Sequence, residues 1–193
     1  MAGKQAKVLS SAQITTVLTH LSTARHSARD RVMFMLSTRA GLRAKEIAGL
    51  TWAMVLTSDG RVGDMIHLED RATKRASGRV IPLNRELRTA LIELHARGIR
   101  SADIPVVYSE RGMGMNANTV AAWFGRLYQR LGFIGCSSHS GRRTFVTSAA
   151  KKVSQAGGSL RDVQEMAGHR SLQMTARYIE GDSDAKRKLV NLL

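Results

Sequence analysis

The stretch "SSHSGRRTFVTS", residues 137–148, places one histidine and two adjacent arginines where the pattern predicts the start of a helix. His139 and Arg142 are three positions apart, so a helix carries them on one face. Free backbone N–H groups at a helix N-terminus attract an anion, and the guanidinium fork suits two-point contact with phosphate oxygens. With no carboxylate nearby in the sequence, this cluster either faces open water or holds an anion.

The net charge of the chain favours an anionic partner. Thirty Lys and Arg residues stand against fifteen Asp and Glu residues, which gives a formal charge of +15. No acidic residue occurs anywhere from Arg111 to Arg161. Such a region repels itself unless a polyanion neutralises it, and nucleic acid is the usual polyanion. The alternative is a basic surface that serves only solubility.

Length and composition narrow the class of protein. The 193 residues suffice for one compact domain. No stretch reaches the roughly 18 apolar residues of a membrane span, and the start "MAGKQAKVLSSAQ" lacks the apolar core of a signal peptide. We therefore expect a cytoplasmic protein, associated with the nucleoid when bound to DNA. Cys136 is the single cysteine, so neither an internal disulfide nor a cysteine metal site is expected.

Hydrophobic periodicity predicts a mainly α fold with a small antiparallel sheet. Behind a cap at Ser11, apolar residues recur at helical spacing at Ile14, Val17, Leu18 and Leu21. A second helix is predicted over 26–40, with Gly41 suited to end it. Two strands are predicted over 65–68 and 79–83, joined by a basic loop. The other predicted helices cover 42–50, 85–97, 117–131, 140–155, 160–168 and 172–179, followed by an amphipathic tail.

Three further motifs accompany the His-x-x-Arg cluster in a fixed order along the chain. "GLRAKE" (41–46) places an arginine directly after a helix-ending glycine, and "TKRASGRVIPL" (73–83) places a lysine in the basic hairpin loop. "GHRSLQMTARY" (168–178) places a histidine nine residues before a tyrosine. Together with the histidine–arginine cluster, these motifs resemble the tyrosine recombinases, also called the phage integrase family. The resemblance runs from about residue 11 to the end of the chain.

The resemblance implies a set of site residues. The arginine of the first family box matches Arg43, and the lysine of the hairpin matches Lys74. The His-x-x-Arg box matches His139 and Arg142. The Gly-His box and the nucleophile that follows it match His169 and Tyr178. Glu46 lies one helical turn after the first arginine, and we expect it to orient that arginine from behind.

The same resemblance implies the tyrosine recombinase catalytic-domain fold. We expect a basic N-terminal arm over residues 1–10 and a single catalytic domain over 11–193. Most members also carry an N-terminal core-binding domain of small-domain size, and here we expect the catalytic domain alone. Two positions depart from the family pattern, because Gly141 stands where leucine is frequent and Ala167 replaces the leucine of Leu-Gly-His.

The chemistry of these residue types fits phosphoryl transfer to a tyrosine. The two arginines can grip the non-bridging oxygens of a phosphodiester and follow its charge into the transition state. The Tyr178 oxygen can then attack phosphorus and keep the bond energy as an ester. Lys74 is a candidate acid for the leaving 5′ oxygen, His139 can accept the tyrosine proton, and His169 can hydrogen-bond the phosphate. Neither a metal nor another cofactor is expected.

Two other tyrosines are alternative nucleophiles. Tyr128 abuts the apolar stripe of its predicted helix, so packing is its expected role, and Tyr108 is a rival without a supporting motif. Tyr178 lies off the apolar face of its own predicted helix, so its ring need not point into the core. That face consists of Leu172, Thr175, Ala176 and Ile179.

Other basic residues are candidates for contact with the DNA backbone. Arg75 and Arg79 share the hairpin region with the candidate acid and compete with it for that role. Arg143, Lys151 and Arg170 are expected to contact phosphates.

The sequence therefore indicates a site-specific DNA recombinase or integrase that acts on double-stranded DNA. Two alternatives remain at this point: a type IB-like topoisomerase that relaxes DNA without exchange, and a DNA-binding accessory protein of the same fold. The resemblance further implies a homo-oligomer, a tetramer on DNA, with room for an accessory DNA-binding or recombinase partner.

Overall fold

Helices dominate the architecture, and one short hairpin accompanies them. The computed structural model describes residues 6–69, 78–98, 101–110, 112–178 and 190–191. Strands β1 (Met65–Leu68) and β2 (Arg79–Pro82) pair antiparallel, with Ile66 opposite Ile81. The helices are α1 (Ser11–Ser22), α2 (Ser27–Arg39), α3 (Ala44–Gly49), α4 (Arg85–His95), α5 (Ala117–Arg130), α6 (Ser140–Lys152), α7 (Leu160–Ala167) and α8 (Leu172–Ala176). The predicted class, mainly α with a small antiparallel sheet, is confirmed.

Capping boxes set the start of two helices. At α1, the Ser10 side chain accepts from the Gln13 N–H at 3.2 Å, and Gln13 Oε1 accepts from the Ser10 N–H at 3.0 Å. The cap is therefore Ser10 and not the predicted Ser11, because only Ser10 has glutamine at the third helical position. At α7, the Ser159 N–H donates to Asp162 Oδ2 at 2.7 Å.

Helix α2 forms the centre of the molecule. Its residues from Val32 to Leu36 are almost completely buried, because α1, α3, α4 and α6 all pack against it. The helix ends at Arg39 and is followed, beyond the cap residue Ala40, by Gly41, whose φ of +68° lies in the left-handed region. A side chain at Gly41 would also collide with the Phe145 ring. The end of α2 is thereby fixed against α6.

Two apolar clusters hold the helices together. The larger one joins α1 to α5 and the hairpin and includes the fully buried Trp52, while Trp123 is only half-buried at its edge. The smaller one lies between α6 and α7, where Val146 and Val163 are completely buried. Tyr178 packs partly against this second cluster. The residues of the candidate site lie where α6 and α7 meet the larger body.

The described part of the predicted N-terminal arm packs on the domain. The Lys7 N–H donates to the Gly135 carbonyl at 3.1 Å. The Leu9 N–H donates to Thr144 Oγ1 of α6 at 2.8 Å, and Leu9 is buried. The hairpin loop with Lys74 and Arg75 lies outside the described residues, as does the tail apart from 190–191. Within the described segments, no helix is both long and apolar enough to cross a membrane.

Helices α2 and α6 approach each other closely at Gly141, which has no side chain. An added Cβ would collide with the Ser37 hydroxyl and lie 2.9 Å from Ser37 Cβ and 3.1 Å from Thr38 Cγ2. The departure from the leucine common in the family therefore has a local reason, because the neighbouring turn of α2 occupies that space.

We expect two helical glycines to respond oppositely to alanine. Gly141→Ala should lower the free energy of unfolding by about 1–3 kcal/mol, since it overpacks the α2–α6 contact. Gly125→Ala in α5 should raise it by about 0.5–1 kcal/mol, because an added Cβ there meets nothing within 4 Å. Denaturant titration measures both. Equal stability of Gly141→Ala and the parent would contradict the described packing of α2 on α6.

Candidate active site

Arg142, on the first turn of α6, is a buried cation held by two neutral acceptors. Arg142 is 5% exposed. Nη1 donates to the Gly41 carbonyl and Nη2 to the Ala167 carbonyl, each at 2.7 Å. The guanidinium thereby ties the end of α2 to the end of α7. Burial, assisted by the charge of Arg43, lowers the pKa of Arg142 to about 10, so the side chain remains charged at neutral pH.

Glu46 lies behind Arg43, where the sequence analysis expected it, and it binds two arginines. The Glu46 carboxylate is 1% exposed. Its Oε1 accepts from Arg43 Nη1 at 2.7 Å, and its Oε2 accepts from the Arg43 backbone N–H at 2.8 Å. The second partner is Arg79, with both Nη atoms 3.0 Å from the carboxylate oxygens. Burial alone would raise the pKa of Glu46, but the bonds and charges of both arginines lower it.

Arg79 differs from its expected role as a DNA contact. Its side chain is 7% exposed, and Nε donates to the Met166 carbonyl at 2.8 Å. The guanidinium therefore links β2, α3 and α7 inside the wall of the site. The physical reason is the buried Glu46 carboxylate, which lies between two cations. A sequence signal for this role is the position of Glu46 beside Ile47 on the buried side of α3.

His169 follows the left-handed cap of α7 and has a neutral ring. It is 8% exposed, and Nδ1 lies 2.9 Å from the hydroxyl oxygen of Thr175. Burial lowers the pKa of His169 to about 4, and the positive charges of Arg142, Arg43 and Arg79 act in the same direction. At neutral pH the ring therefore carries one proton.

Tyr178 lies just beyond α8, which ends at Ala176 instead of continuing to 179 as predicted. Its ring stacks on the His169 ring, with centroids 5.7 Å apart and planes inclined by 18°. Arg143, predicted as a phosphate contact, has its guanidinium carbon 5.9 Å from the Tyr178 ring centroid. The predicted apolar face of α8 is wrong at Leu172, which is 47% exposed, although Thr175 is fully buried.

Two neighbouring cavities contain the predicted residues. A cavity of about 710 Å³ is lined by Arg43, Arg79, His169 and the exposed Arg170, among others. A cavity of about 390 Å³ is lined by His139, Arg142, Arg143, His169 and Tyr178, together with the packed N-terminal residue Ala6. His169 lines both cavities. His139 is exposed at the cap position of α6 and faces the same cavity as the tyrosine.

The other described residues among the predicted ones lie outside this cluster. Lys151 is exposed in the last turn of α6. Lys74 and Arg75 fall outside the described residues.

Tyr128 is buried among aromatic rings, with its ring centroid 6.0 Å from that of Phe124 and 6.3 Å from that of Phe133, and burial raises the pKa of Tyr128. The packing role expected for Tyr128 is confirmed. Tyr108 packs at the edge of the larger cluster, and its carbonyl accepts from Arg29 Nη1.

The arrangement suits the binding of a tetrahedral anion. The Glu46 carboxylate binds Arg43 and Arg79, and the third guanidinium, that of Arg142, is held by neutral carbonyls, so these groups give the wall of the site excess positive charge. Because these groups are fixed before a ligand arrives, they need not reorganise as negative charge develops on bound oxygens. A phenol, a neutral imidazole and an exposed imidazole border the same space. These are the side-chain types that phosphoryl transfer to a tyrosine requires.

Comparison with known proteins identifies the family. The model of the phage integrase family matches residues 7–184. The chain belongs to the phage integrase family. Curated relatives include tyrosine recombinase XerC of Pelobacter propionicus, 30% identical over 152 residues, and XerC of Xylella fastidiosa, 30% identical over 154 residues. The matches cover 78% and 80% of this chain. The chain spans about half the length of these relatives, 47% and 49%.

Solved structures establish the fold. The Tn1549 transposon integrase in complex with a circular intermediate DNA matches with a TM-score of 0.77 at 19% identity, over 100% of this chain and 67% of that one. The XerA recombinase matches with a TM-score of 0.71 at 20% identity, over 96% of this chain and 64% of that one. This phage integrase family member therefore has the tyrosine recombinase catalytic-domain fold.

The buried His169 of this integrase family domain predicts acid sensitivity. The unfolded chain binds a proton at the ordinary histidine pKa of 6.5, whereas the folded chain does so only near pH 4. Stability from this group is therefore complete above pH 6.5 and is lost as the pH falls towards 4. The loss reaches up to about 3 kcal/mol, since one pKa unit corresponds to about 1.4 kcal/mol.

His169→Gln should remove this part of the acid sensitivity. Denaturant titrations at pH 6.5 and pH 4.5 measure the difference in unfolding free energy. The exposed His67→Gln serves as the matched control and should keep the steep loss of the parent. A loss in His169→Gln as large as in the parent would contradict the neutral, buried state of the ring.

Proposed function

We propose that this chain is the catalytic domain of a site-specific DNA recombinase that cleaves and rejoins double-stranded DNA through a 3′-phosphotyrosyl intermediate. The observation that carries the proposal is the position of Tyr178. Its ring stacks on His169 and lines the same cavity as the buried cation of Arg142. A nucleophile, a charge for the phosphate and a neutral hydrogen-bonding ring thus share one space.

The phosphate is activated by fixed charge. Arg43 and Arg142 grip the non-bridging oxygens of the scissile phosphate. Both are pre-positioned, the first by the Glu46 carboxylate and the second by two backbone carbonyls. They stabilise the additional negative charge of the pentacoordinate transition state more strongly than that of the ground state. Cleavage therefore proceeds without a divalent metal ion.

The covalent step exchanges one phosphate ester for another. The Tyr178 oxygen attacks phosphorus as its proton passes to the exposed His139, and the bond from phosphorus to the 5′ oxygen breaks. Lys74 donates a proton to that leaving oxygen. Rejoining reverses these steps, with a 5′ hydroxyl as the nucleophile and tyrosine as the leaving group. His169, being neutral, contributes a hydrogen bond and no charge.

The partner is double-stranded DNA. The formal charge of +15 and the acid-free stretch from 111 to 161 support contacts with many phosphates. The Tn1549 integrase is described with circular intermediate DNA, and XerH with a palindromic difH substrate after cleavage. We propose that the chain likewise acts on DNA and exchanges strands as a tetramer, as the family resemblance implies, with Arg75, Arg143, Lys151 and Arg170 in contact with the backbone.

A covalent adduct tests the proposal directly. A nicked DNA duplex that loses a short fragment on cleavage should accumulate a protein–DNA adduct with the parent, in EDTA as well as in magnesium. Tyr178→Phe should give no adduct because it lacks the attacking oxygen, while DNA binding persists. Tyr128→Phe is the matched control and should form the adduct. A magnesium-dependent nick without an adduct would point to a nuclease, and relaxation without exchange between two sites would point to a topoisomerase.

Sulfur in place of the bridging 5′ oxygen separates the acid from the other groups. Lys74→Ala should slow cleavage of ordinary DNA by roughly 10²–10⁴-fold, the usual contribution of general acid catalysis. A 5′-thiolate leaves without a proton, so the sulfur substrate should restore this variant. Arg142→Ala should not be fully restored, because its defect lies at the non-bridging oxygens. If Lys74→Ala stays equally slow on the sulfur substrate, the acid is another residue, such as Arg75 or His139.

A further inference from the structure

A threonine with no part in the proposed steps contacts the histidine of the site. Nδ1 of His169 lies 2.9 Å from the Thr175 hydroxyl oxygen. Thr175 is completely buried in α8, and His169 is 8% exposed. The distance fits two arrangements: either the ring donates from Nδ1 to the hydroxyl, or the hydroxyl donates to an unprotonated Nδ1. In the first arrangement Nε2 is unprotonated and can only accept a hydrogen bond. In the second arrangement Nε2 carries the proton and donates.

The hydrogen-bond acceptors within reach favour the Thr175 hydroxyl as the donor. Other buried threonine hydroxyls in these helices donate to the carbonyl four residues earlier, as Thr38 does to Phe34 and Thr144 to Ser140. For Thr175 the equivalent carbonyl is that of Ser171, which accepts from the Met174 N–H, and the hydroxyl instead meets the His169 ring. If Nδ1 carried the proton, the Thr175 hydroxyl hydrogen would lose this acceptor while buried away from water, which is costly.

We infer that Thr175 donates its hydroxyl proton to Nδ1 of His169 and thereby keeps the proton of the ring on Nε2, which faces the phosphate site. The inference rests on the proposed function for its catalytic consequence. Thr175 acts through His169 and is a positioning residue. It touches neither the DNA nor the reacting atoms.

The surroundings of the ring make the choice of tautomer matter. The charges that act on the ring are those of three cations: Arg43 at the start of α3, Arg79 of β2 and Arg142 of α6. Glu46 binds the first two, and the Tyr178 ring stacks on the imidazole. A second proton on His169 is unfavourable among these charges. The ring therefore has one proton, and its location decides whether Nε2 donates or accepts.

A proton on Nε2 makes His169 a donor towards a phosphate oxygen. Nδ1 is occupied inside the wall, and His169 lines both cavities, so Nε2 is the polar edge left for the ligand. A lone pair at that edge would repel the oxygen that the arginines attract. The same tautomer cannot accept the Tyr178 proton at Nε2, which leaves that role to His139.

Two threonine variants separate the hydroxyl from the space it fills. Thr175→Val keeps the shape and removes the donor, whereas Thr175→Ser keeps the donor. In single-turnover cleavage of the nicked substrate, valine should slow adduct formation by about 10–100-fold, by analogy with the loss when the partner that orients a metal-binding histidine is removed. Serine should remain close to the parent. Thr38→Val, which removes a buried hydroxyl elsewhere, is the matched control and should cleave as the parent does.

Combination with His169→Ala identifies the route of the effect. If Thr175 acts through the ring, Thr175→Val should cause no further loss once the ring is absent. An additional loss of similar size in the double variant would overturn the inference, because the threonine would then act by another route. Cleavage by Thr175→Val at the parent rate would overturn it as well.

Nitrogen-15 NMR of the histidine ring tests the tautomer without any activity. The parent should show a protonated Nε2 and an unprotonated Nδ1 for His169 at pH 7, and Thr175→Val should shift this towards a mixture. A protonated Nδ1 in the parent would refute the inference even if cleavage is as proposed. Failure of the parent to form any adduct would refute the proposed function, while the ring spectrum would still decide the tautomer.

Discussion

The site is organised around one buried carboxylate that serves two guanidiniums. Glu46 fixes Arg43 at the cavity and Arg79 inside the wall, and Arg79 in turn reaches the last turn of α7. A buried carboxylate of this kind is stable only while its partners stay in place. The start of α3, the strand β2 and the end of α7 are therefore held in one relative position. Those three elements carry or border the residues proposed to bind the phosphate.

The balance of charge in this cluster determines the behaviour of its neighbours. One carboxylate does not neutralise three guanidiniums, and Arg142 donates to two uncharged carbonyls. The free protein bears the electrostatic cost of this excess. Under the proposed function, a bound phosphate relieves the cost, and the positive wall both attracts DNA and favours the more negative transition state. Burial, together with the same field, lowers the pKa of His169 and keeps the ring neutral. A neutral imidazole depends on a neighbour to place its single proton.

Local sequence pattern predicted the helices well, because a buried helical face must repeat its apolar residues at helical spacing. The faces of α1 and α5 follow that rule, with Ile14, Val17, Phe124 and Leu127 buried. Helix α8 departs from this rule, because Leu172 is exposed and the helix ends before Tyr178. Short helices offer too few repeats for periodicity to fix their ends.

The residues of the candidate site were predictable from ordered motifs, and so was Glu46 behind Arg43. The other supporting contacts were not predictable. Arg79 meets Glu46 across 33 positions of sequence, and Arg142 meets Gly41 across 101. No local pattern encodes such pairings, because they depend on how distant elements are packed. Thr175 was noted only as part of an apolar helix face. Its hydroxyl acquired significance from the ring that the fold places beside it.

The contact between Gly141 and Ser37 couples the evolution of α6 to that of α2. A larger residue at position 141 is tolerable only if the turn of α2 at Ser37 and Thr38 gives way, so the two segments are expected to covary among close relatives. Transplanting the first turn of α6 from a recombinase with leucine at this position would displace α2, and with it the Gly41 carbonyl that holds Arg142. Arg142 therefore cannot be transferred to another protein without its supporting contacts. It can be exchanged between relatives only together with the helix end on which it rests.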